Sequence, residues 1–122
     1  MDIGVLTVAV GDESLEDALE YLSGISVDAV ELGCGGYPGE DHISREAYLD
    51  DEAAQAELLD RVAEHGLRIS ALATHNNPLH PDEARADRAA TEIREAIELA
   101  AQLGVDNVNL FSGLPAGSPA GD

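Results

Sequence analysis

Residues 69–81 read I-S-A-L-A-T-H-N-N-P-L-H-P, and this stretch determines how the rest of the chain is interpreted. Its first five residues are apolar or small, whereas the part from Thr74 onward holds two histidines, two asparagines and two prolines. A buried strand that runs into a rigid polar loop produces this change. Enzymes of the α/β class hold their chemistry at such strand ends, because the sheet fixes the position and the loop supplies the functional groups. We therefore expect a functional loop directly after this strand.

Apolar stretches of the same kind recur along the chain. The run at residues 2–10 is nearly uninterrupted, which is typical of a strand buried on both faces of a parallel sheet. The complete set of predicted strands is 2–10, 28–32, 67–73 and 105–111.

Helical patterns lie between these strands, over residues 14–24, 51–65 and 81–103. Ser14, with an acid three residues later, forms a capping box at the start of the first helix. Helical spacing predicts these apolar side chains on the inner faces of the two later helices: Leu58, Leu59, Val62, Ile93, Ile97, Ala100 and Leu103.

The alternation of strands and helices predicts the fold class. Four successive right-handed βα units imply a parallel sheet, and their spacing resembles that of eight-fold barrels. The prediction is an α/β fold of the (β/α)8 TIM-barrel type. An intact barrel needs ~250 residues, so these 122 residues hold about four βα units, a partial barrel. We assign residues 1–111 to its N-terminal half and 112–122 to a Gly/Pro-rich tail, which a truncated βα loop explains better than a terminal linker.

The charge of the chain excludes some partners. There are 25 acidic residues against 6 arginines, lysine is absent, and the net charge is −19. Such a chain repels phosphate backbones and anionic lipids, so neither nucleic acid nor a membrane is an expected partner. The simplest interpretation of the acids is a solvated surface. The composition also resembles that of proteins from salt-rich cytoplasm, where the Debye length falls to ~3 Å at molar salt.

The cysteine count indicates the compartment. Cys34 is the single cysteine, so no internal disulfide can form, which fits a reducing cytoplasm. The chain opens without a signal-peptide pattern, and no run approaches the ~20 apolar residues of a membrane span. We therefore expect a cytoplasmic protein.

Two features accompany the predicted second strand. Residues 33–39 are rich in glycine, but they match neither the dinucleotide-binding motif nor the P-loop motif. A tight loop is therefore a better interpretation of these residues than a phosphate-binding site. Glu31 stands near the predicted strand end among apolar residues, and a partly buried carboxylate there must be paired or hydrogen-bonded. The sequence alone leaves open whether Glu31 serves the active site or a structural ion pair.

The polar loops after the third and fourth strands hold the other candidates. His75 follows the third strand directly and could donate to a substrate hydroxyl, move protons or ligate metal. Because the carboxyl ends of all strands meet at one face of a (β/α)8 barrel, we expect the residues that end the fourth strand to share a rim with Glu31 and His75. The candidate substrate-binding residues are Asn76, Asn77, His80, Asn109, Phe111, Ser112 and Gly113.

Four blocks of sequence together resemble one protein family. They are I-G-V-L-T at 3–7, D-A-V-E-L-G-C-G-G-Y-P-G at 28–39, R-I-S-A-L-A-T-H-N-N-P-L-H-P at 68–81 and L-G-V-D-N-V-N-L-F-S-G at 103–113. In this order they resemble the N-terminal half of sugar phosphate isomerases/epimerases. Those proteins are (β/α)8 barrels similar to xylose isomerase and to endonuclease IV.

The resemblance implies a metal-assisted isomerisation or epimerisation of a sugar or sugar phosphate, through an enediolate or a hydride shift. It implies a divalent cation (Mn, Mg, Co or Zn) whose ligands come from the fifth to eighth strands, so no metal ligand is expected in this chain. Glu31 and His75 would then be the catalytic residues that the chain contributes. His75 could become a ligand in a multi-metal variant, as in the nuclease branch.

Alternative functions stay open at this stage. The chain could be a non-catalytic half-barrel that pairs with a partner or with a second copy, because its open edge strands would expose apolar surface. An endonuclease IV-like phosphodiesterase fits less well, because a net charge of −19 opposes DNA binding.

Overall fold

A computed structural model describes residues 1–115 of the chain. One parallel sheet of four strands forms its centre, in the order β1-β2-β3-β4. The strands are β1, Gly4–Leu6; β2, Ala29–Gly36; β3, Arg68–His75; and β4, Val108–Leu110. Because consecutive strands are neighbours and parallel, each connection is a βα crossover, and the predicted partial barrel is confirmed.

Helices make the crossovers. They are α1, Leu15–Gly24; α2, Arg45–Tyr48; α3, Glu52–Glu64; and α4, Glu83–Leu103. Ser14 caps α1 by accepting from the backbone N–H of Asp17, which confirms the predicted N-cap, and its hydroxyl donates to Asp17 Oδ2. Asp82 caps α4 by accepting from the N–H groups of Ala84 and Arg85.

The core lies between the helices and one face of the sheet. Strand residues alternate between this face and the opposite one, so Val30, Leu32 and Leu72 point into the core and are fully buried. Leu58 and Val62 of α3 are buried as predicted, but Leu59 is exposed. Ile97 of α4 was also predicted to be buried and is 49% exposed, because the buried face of α4 runs through Ala96 and Leu99.

Three predicted segments differ from the structure. The first strand ends at Leu6, and Thr7–Val10 form a 3-10 turn, so the nine-residue buried strand was wrong. Ala29–Gly36 form a strand that takes in half of the expected glycine loop. Arg45–Tyr48 form a short helix that is not among the predicted helical segments. The tail at 112–122 lies mostly outside the described residues.

No helix within residues 1–115 combines the length and the apolar character needed to cross a membrane. The opposite, inner face of the sheet is the one that lines the lumen of a closed barrel. It carries no helix of the described chain, and its side chains are those that the pleat turns away from the core.

Candidate functional site

The inner face of the sheet carries Glu31 and Asn109. Glu31 on β2 pairs with Ala71 of β3, and Ala73, two residues further along β3, pairs with Asn109 of β4. Paired residues of a parallel sheet share a face, so all four side chains lie on one surface. Asn109 Nδ2 donates to Glu31 Oε1 at 2.8 Å, across the small side chains of β3. The predicted carboxylate therefore has a hydrogen-bond partner that is itself a predicted site residue.

Glu31 lies deeper in the sheet than the sequence predicted. It is the third of eight residues in β2, whereas the prediction put it near the strand's end. His75 lies four residues beyond Ala71, the partner of Glu31, which is ~13 Å further along β3. Glu31 and His75 therefore face the same side of the sheet at two different depths.

His75 stands at the carboxyl rim, where it stacks on Phe111. The two ring centroids are 4.5 Å apart, and the planes meet at 16°. Phe111 is 54% exposed, so the stacked pair presents a flat aromatic surface to solvent. The pair lies beside an open groove of about 970 Å³, lined also by the predicted residues Asn76, Asn77, His80, Ser112 and Gly113. The structure thus brings the predicted rim residues together.

Close packing with β2 fixes the backbone of His75. The N–H of Tyr37 donates to the carbonyl of His75 at 2.9 Å. Gly36 has φ +64°, and a Cβ there would lie 2.5 Å from the carbonyl of His75. Only glycine permits this approach, so the glycine cluster is needed to hold the β3 rim in place.

The amides of the glycine cluster are used inside the loop. The N–H of Gly35 donates to the carbonyl of Gly39 at 3.0 Å, and the N–H of Gly39 donates to the carbonyl of Gly36 at 3.0 Å. Since the amide of Tyr37 is also engaged, these three N–H groups do not point at a ligand. This geometry favours the tight-loop interpretation over a phosphate site at residues 33–39.

Behind the rim lies a partly buried ionic cluster that the sequence did not reveal. Arg45 of α2 bonds Glu95 at 2.8 Å and Glu40 at 3.0 Å, and lies 3.8 Å from Glu92. Its Nη1 also donates to the carbonyl of Cys34 in β2 at 2.7 Å. Burial alone would lower the pKa of Arg45, but the hydrogen bond to Glu95 and the surrounding carboxylates raise it above the ordinary value.

This Arg45 cluster reaches the residues on either side of His75. Asn76 Nδ2 donates to Glu92 Oε2 at 2.6 Å, which holds the loop against α4. Among the described atoms, Thr74 Oγ1 and Asn76 Oδ1 are buried without a hydrogen-bond partner. A buried polar atom without a hydrogen bond lowers the stability of the fold, and a ligand or a water molecule often supplies the missing hydrogen bond.

Asn77 holds the two rim loops together. Its Oδ1 accepts from the N–H of Leu114 at 2.8 Å, and its Nδ2 donates to the carbonyl of Leu114 at 3.1 Å. Gly113 has φ +97°, and a Cβ there would lie 2.6 Å from Asn77 Oδ1. Asn77 and Gly113 therefore line the groove and also fix the distance between its two loops.

His42, His65 and Cys34 lie outside the groove and make contacts that hold the fold together. His65 ends α3 and lies 2.7 Å from Glu16 of α1, and His42 Nε2 lies 3.0 Å from the carbonyl of Glu13. Burial raises the pKa of Cys34 to about 12, although the charge of Arg45 opposes this. Cys34 is therefore a poor nucleophile near neutral pH.

Within residues 1–115, no three His, Cys, Asp or Glu side chains form a group that could hold a metal ion. Glu31 and His75 are separated by ~13 Å along the sheet and do not fit one metal site. Residues 1–115 therefore do not provide a metal site by themselves.

Comparisons with known proteins give a consistent result. A family model for xylose isomerase-like TIM barrels matches residues 19–122. The uncharacterized protein YfiH of Bacillus subtilis (strain 168) is 30% identical over 120 residues, a match that covers 98% of this chain and 38% of YfiH.

Solved structures share the fold. The probable 3-DHS dehydratase AsbF of Bacillus anthracis, involved in petrobactin synthesis, matches with a TM-score of 0.63 and 14% identity, over 93% of this chain and 39% of AsbF. A sugar phosphate isomerase/epimerase of Parabacteroides distasonis ATCC 8503 matches with a TM-score of 0.59 and 19% identity, over 93% of this chain and 39% of that one. Protein SMc04130 of Sinorhizobium meliloti 1021 matches with a TM-score of 0.57 and 21% identity, over 97% and 39%. The chain thus spans less than two-fifths of the length of these relatives.

Proposed function

This chain belongs to the xylose isomerase-like TIM barrel family, and from that premise we propose that it supplies the substrate-holding N-terminal part of a barrel that isomerises or epimerises a sugar or sugar phosphate. The observation that carries the proposal is the arrangement of polar groups on the inner face. The Glu31–Asn109 pair lies at one depth, and the stacked His75–Phe111 pair lies at the rim above it.

This arrangement suits a carbohydrate. Sugars present vicinal hydroxyls at their edges and C–H groups on their faces, so they bind between polar groups and flat aromatic rings. Asn109 keeps the Glu31 carboxylate oriented toward the lumen, where its second oxygen can accept from a hydroxyl. The exposed ring of Phe111 offers a surface for a sugar face, and His75 beside it offers a ring nitrogen.

The proposed chemistry moves protons between adjacent sugar positions, through an enediolate or a hydride shift. In the enediolate route to an isomer, Glu31 takes the proton from the carbon next to the carbonyl and returns it to the former carbonyl carbon; in the hydride shift it takes the hydroxyl proton and returns it to the former carbonyl oxygen. His75 lies ~13 Å further along β3, so it does not reach the same two carbons, and its ring nitrogen hydrogen-bonds a sugar oxygen at the rim. We further propose a cytoplasmic location, which the single buried thiol of Cys34 supports.

Binding and turnover can be tested separately. We expect saturation-transfer NMR to detect aldoses and ketoses on the 122-residue chain, and expect Glu31→Gln and His75→Gln to weaken that binding at least tenfold. His65→Gln is the matched control, because His65 bonds Glu16 on the helical side of the fold. Equal binding by His75→Gln and His65→Gln would contradict the proposal. An isomerase assay with added Mn²⁺ should show no turnover by this chain alone, and turnover would contradict the division of roles proposed here.

A second proposal concerns assembly. Leu110 on β4 and Ile97 on α4 are 41% and 49% exposed, beside the open edge of the sheet. This apolar surface favours a half-barrel that pairs with a second copy through its edge strands. Light scattering after size-exclusion chromatography in molar salt should then give a dimer, and a clean monomer would contradict pairing. A phosphodiesterase acting on DNA gains no support, because the charge of −19 opposes it.

A further inference from the structure

The side chain of Asn76 follows the candidate catalytic residue His75, and its polar atoms are engaged on the helical side of the sheet. Its Nδ2 donates to Glu92 Oε2 at 2.6 Å, in a partly buried position. Because an ionised carboxylate only accepts hydrogen bonds, the amide nitrogen must face Glu92, and this fixes the direction of the amide. The other polar atom, Oδ1, is buried. Neither polar atom of Asn76 is therefore available to a molecule in the groove.

The alternation of side chains along the strand links this contact to His75. Neighbouring side chains of a strand point to opposite faces, so Thr74 lies on the helical side, fully buried, and His75 lies on the inner side. Asn76, just beyond β3, reaches the helical side again through Glu92. The carbonyl of His75 accepts from the N–H of Tyr37. The direction in which His75 leaves the sheet is thus set by β2 on one side and by the bond of Asn76 on the other.

Two features hold the Glu92 carboxylate in place. Its Oε1 lies 3.8 Å from Arg45 Nη2, and its side chain is only 20% exposed. Gly35 on β2 leaves the space that both side chains occupy, since a Cβ there would lie 3.2 Å from Glu92 Oε2 and 2.6 Å from Arg45 Nη1. A charge-assisted hydrogen bond that is shielded from water is stronger than an exposed one. Glu92 is therefore a fixed acceptor on α4 for the amide of Asn76.

We propose that Asn76 and Glu92 are positioning residues, whose hydrogen bond sets the orientation of His75 against Phe111 and which act on a bound sugar only through that ring pair. The two rings stack with centroids 4.5 Å apart, so a small rotation at the end of β3 would separate them. The inference deepens the proposed function and rests on it, because it assigns the affinity at the rim partly to residues that do not contact the sugar. Both residues line the groove, so direct contact with the sugar is the alternative that the test must separate.

The first test needs no ligand, because the stacked phenylalanine ring shifts the ring protons of His75 upfield in an NMR spectrum. The signals are recorded on the 122-residue chain in molar salt and are identified by their loss in His75→Gln. We expect Glu92→Ala and Asn76→Ala each to move them downfield, and the double variant to move them no further, since both changes remove one hydrogen bond. Glu92→Gln should keep the wild-type signals, because the glutamine oxygen still accepts from Asn76. A residue that only contacts the sugar would not move the ring without ligand.

Glu95→Ala is the matched control. Glu95 also bonds Arg45, at 2.8 Å, and lies three residues further along α4. Its loss should lower the urea midpoint but leave the His75 ring signals in place. In a titration with ribose, Glu92→Ala should then bind about tenfold more weakly than wild type (~1.4 kcal/mol), and Glu95→Ala should bind like wild type.

Equal displacement of the His75 signals by Glu92→Ala and Glu95→Ala would overturn the inference, because the effect would then be a general loss of packing. Wild-type ring signals in Asn76→Ala would overturn it as well, and this variant decides the matter if Glu92→Ala does not fold. Moved ring signals with unchanged ribose affinity would contradict the effect on binding. Failure of the proposed function looks different, because the wild-type chain would then bind no ribose while its ring signals still responded to Glu92→Ala.

Discussion

Replacement of Arg45 by methionine tests the partly buried Arg45 cluster that supports the rim. The Arg45 side chain is 13% exposed and joins four groups: Glu40, Glu92, Glu95 and the carbonyl of Cys34. Methionine keeps much of the apolar volume and removes all donors. Three carboxylates and a carbonyl would then remain together without their cation.

The expected loss of stability follows from how buried each partner is. Removal of one partner from a fully buried ion pair costs about 3–5 kcal/mol. Glu40 and Glu95 are 33% and 37% exposed, so water can solvate their carboxylates after the loss of Arg45. Their contribution to the loss of stability is therefore smaller than that of a fully buried pair. Glu92 and the carbonyl of Cys34 are less accessible. We therefore expect Arg45→Met to lower the free energy of unfolding by ~2–3 kcal/mol.

Urea unfolding followed by circular dichroism at fixed molar salt measures this loss. Arg61→Met is the matched control, because Arg61 pairs with Glu57, which is 71% exposed, and such pairs contribute at most ~1 kcal/mol. High salt weakens the exposed Arg61–Glu57 pair further and the partly buried Arg45 cluster less. If Arg45→Met and Arg61→Met lose the same stability, the cluster does not support the rim as described.

Three further predictions concern other parts of the fold. Because burial raises the pKa of the Cys34 thiol from 9.0 to about 12, iodoacetamide should alkylate native protein at pH 8 far more slowly than urea-unfolded protein. The free energy of unfolding should also fall as the pH rises from 9.0 toward 12, because in this range the Cys34 thiol ionises in the unfolded protein but not in the folded one. Rapid alkylation of the native protein would contradict the raised pKa and therefore this pH dependence as well. Gly36→Ala should destabilise the fold more than Gly66→Ala. Both glycines have positive φ, which costs an alanine ~1–2 kcal/mol, but only at Gly36 would the new Cβ lie 2.5 Å from the His75 carbonyl. Equal unfolding midpoints would show that this close approach does not affect stability. With a net charge of −19, the chain should lose helical circular dichroism on dialysis from molar to millimolar salt, and an unchanged spectrum would refute salt dependence.

The fold could be predicted because its signals are local. Helical periodicity, the Ser14 cap and the glycines that end helices each occur within a few residues, and the order of elements then implies a parallel sheet. The boundaries of β1 and β2 could not be predicted in the same way. Residues 7–10 look like strand but leave the sheet, because β1 pairs with β2 over three residues only. Gly33 looks like loop but pairs with Ala73 in the sheet.

The candidate site was predicted in part. The rule that strand ends share one edge placed His75 and Phe111 near each other, and the rings do stack. The position of Glu31 along β2 was not predicted, because the glycines at the end of β2 were interpreted as a loop and the strand was therefore expected to be shorter than it is. Arg45 was not identified at all, since its partners Glu92 and Glu95 lie on a helix about fifty positions away and neither sits in a motif. Such long-range polar contacts leave no periodic pattern in one sequence.

The most direct measurement of the central claim is a ¹H–¹⁵N correlation spectrum of the chain during titration with a sugar that binds it. If the inner face of the sheet holds the sugar, the side-chain amide of Asn109 and the backbone amides of His75 and Phe111 should shift with one common affinity, while those near His65 stay unchanged. Shifts confined to the helical side, or to the loop at residues 33–39, would contradict the account.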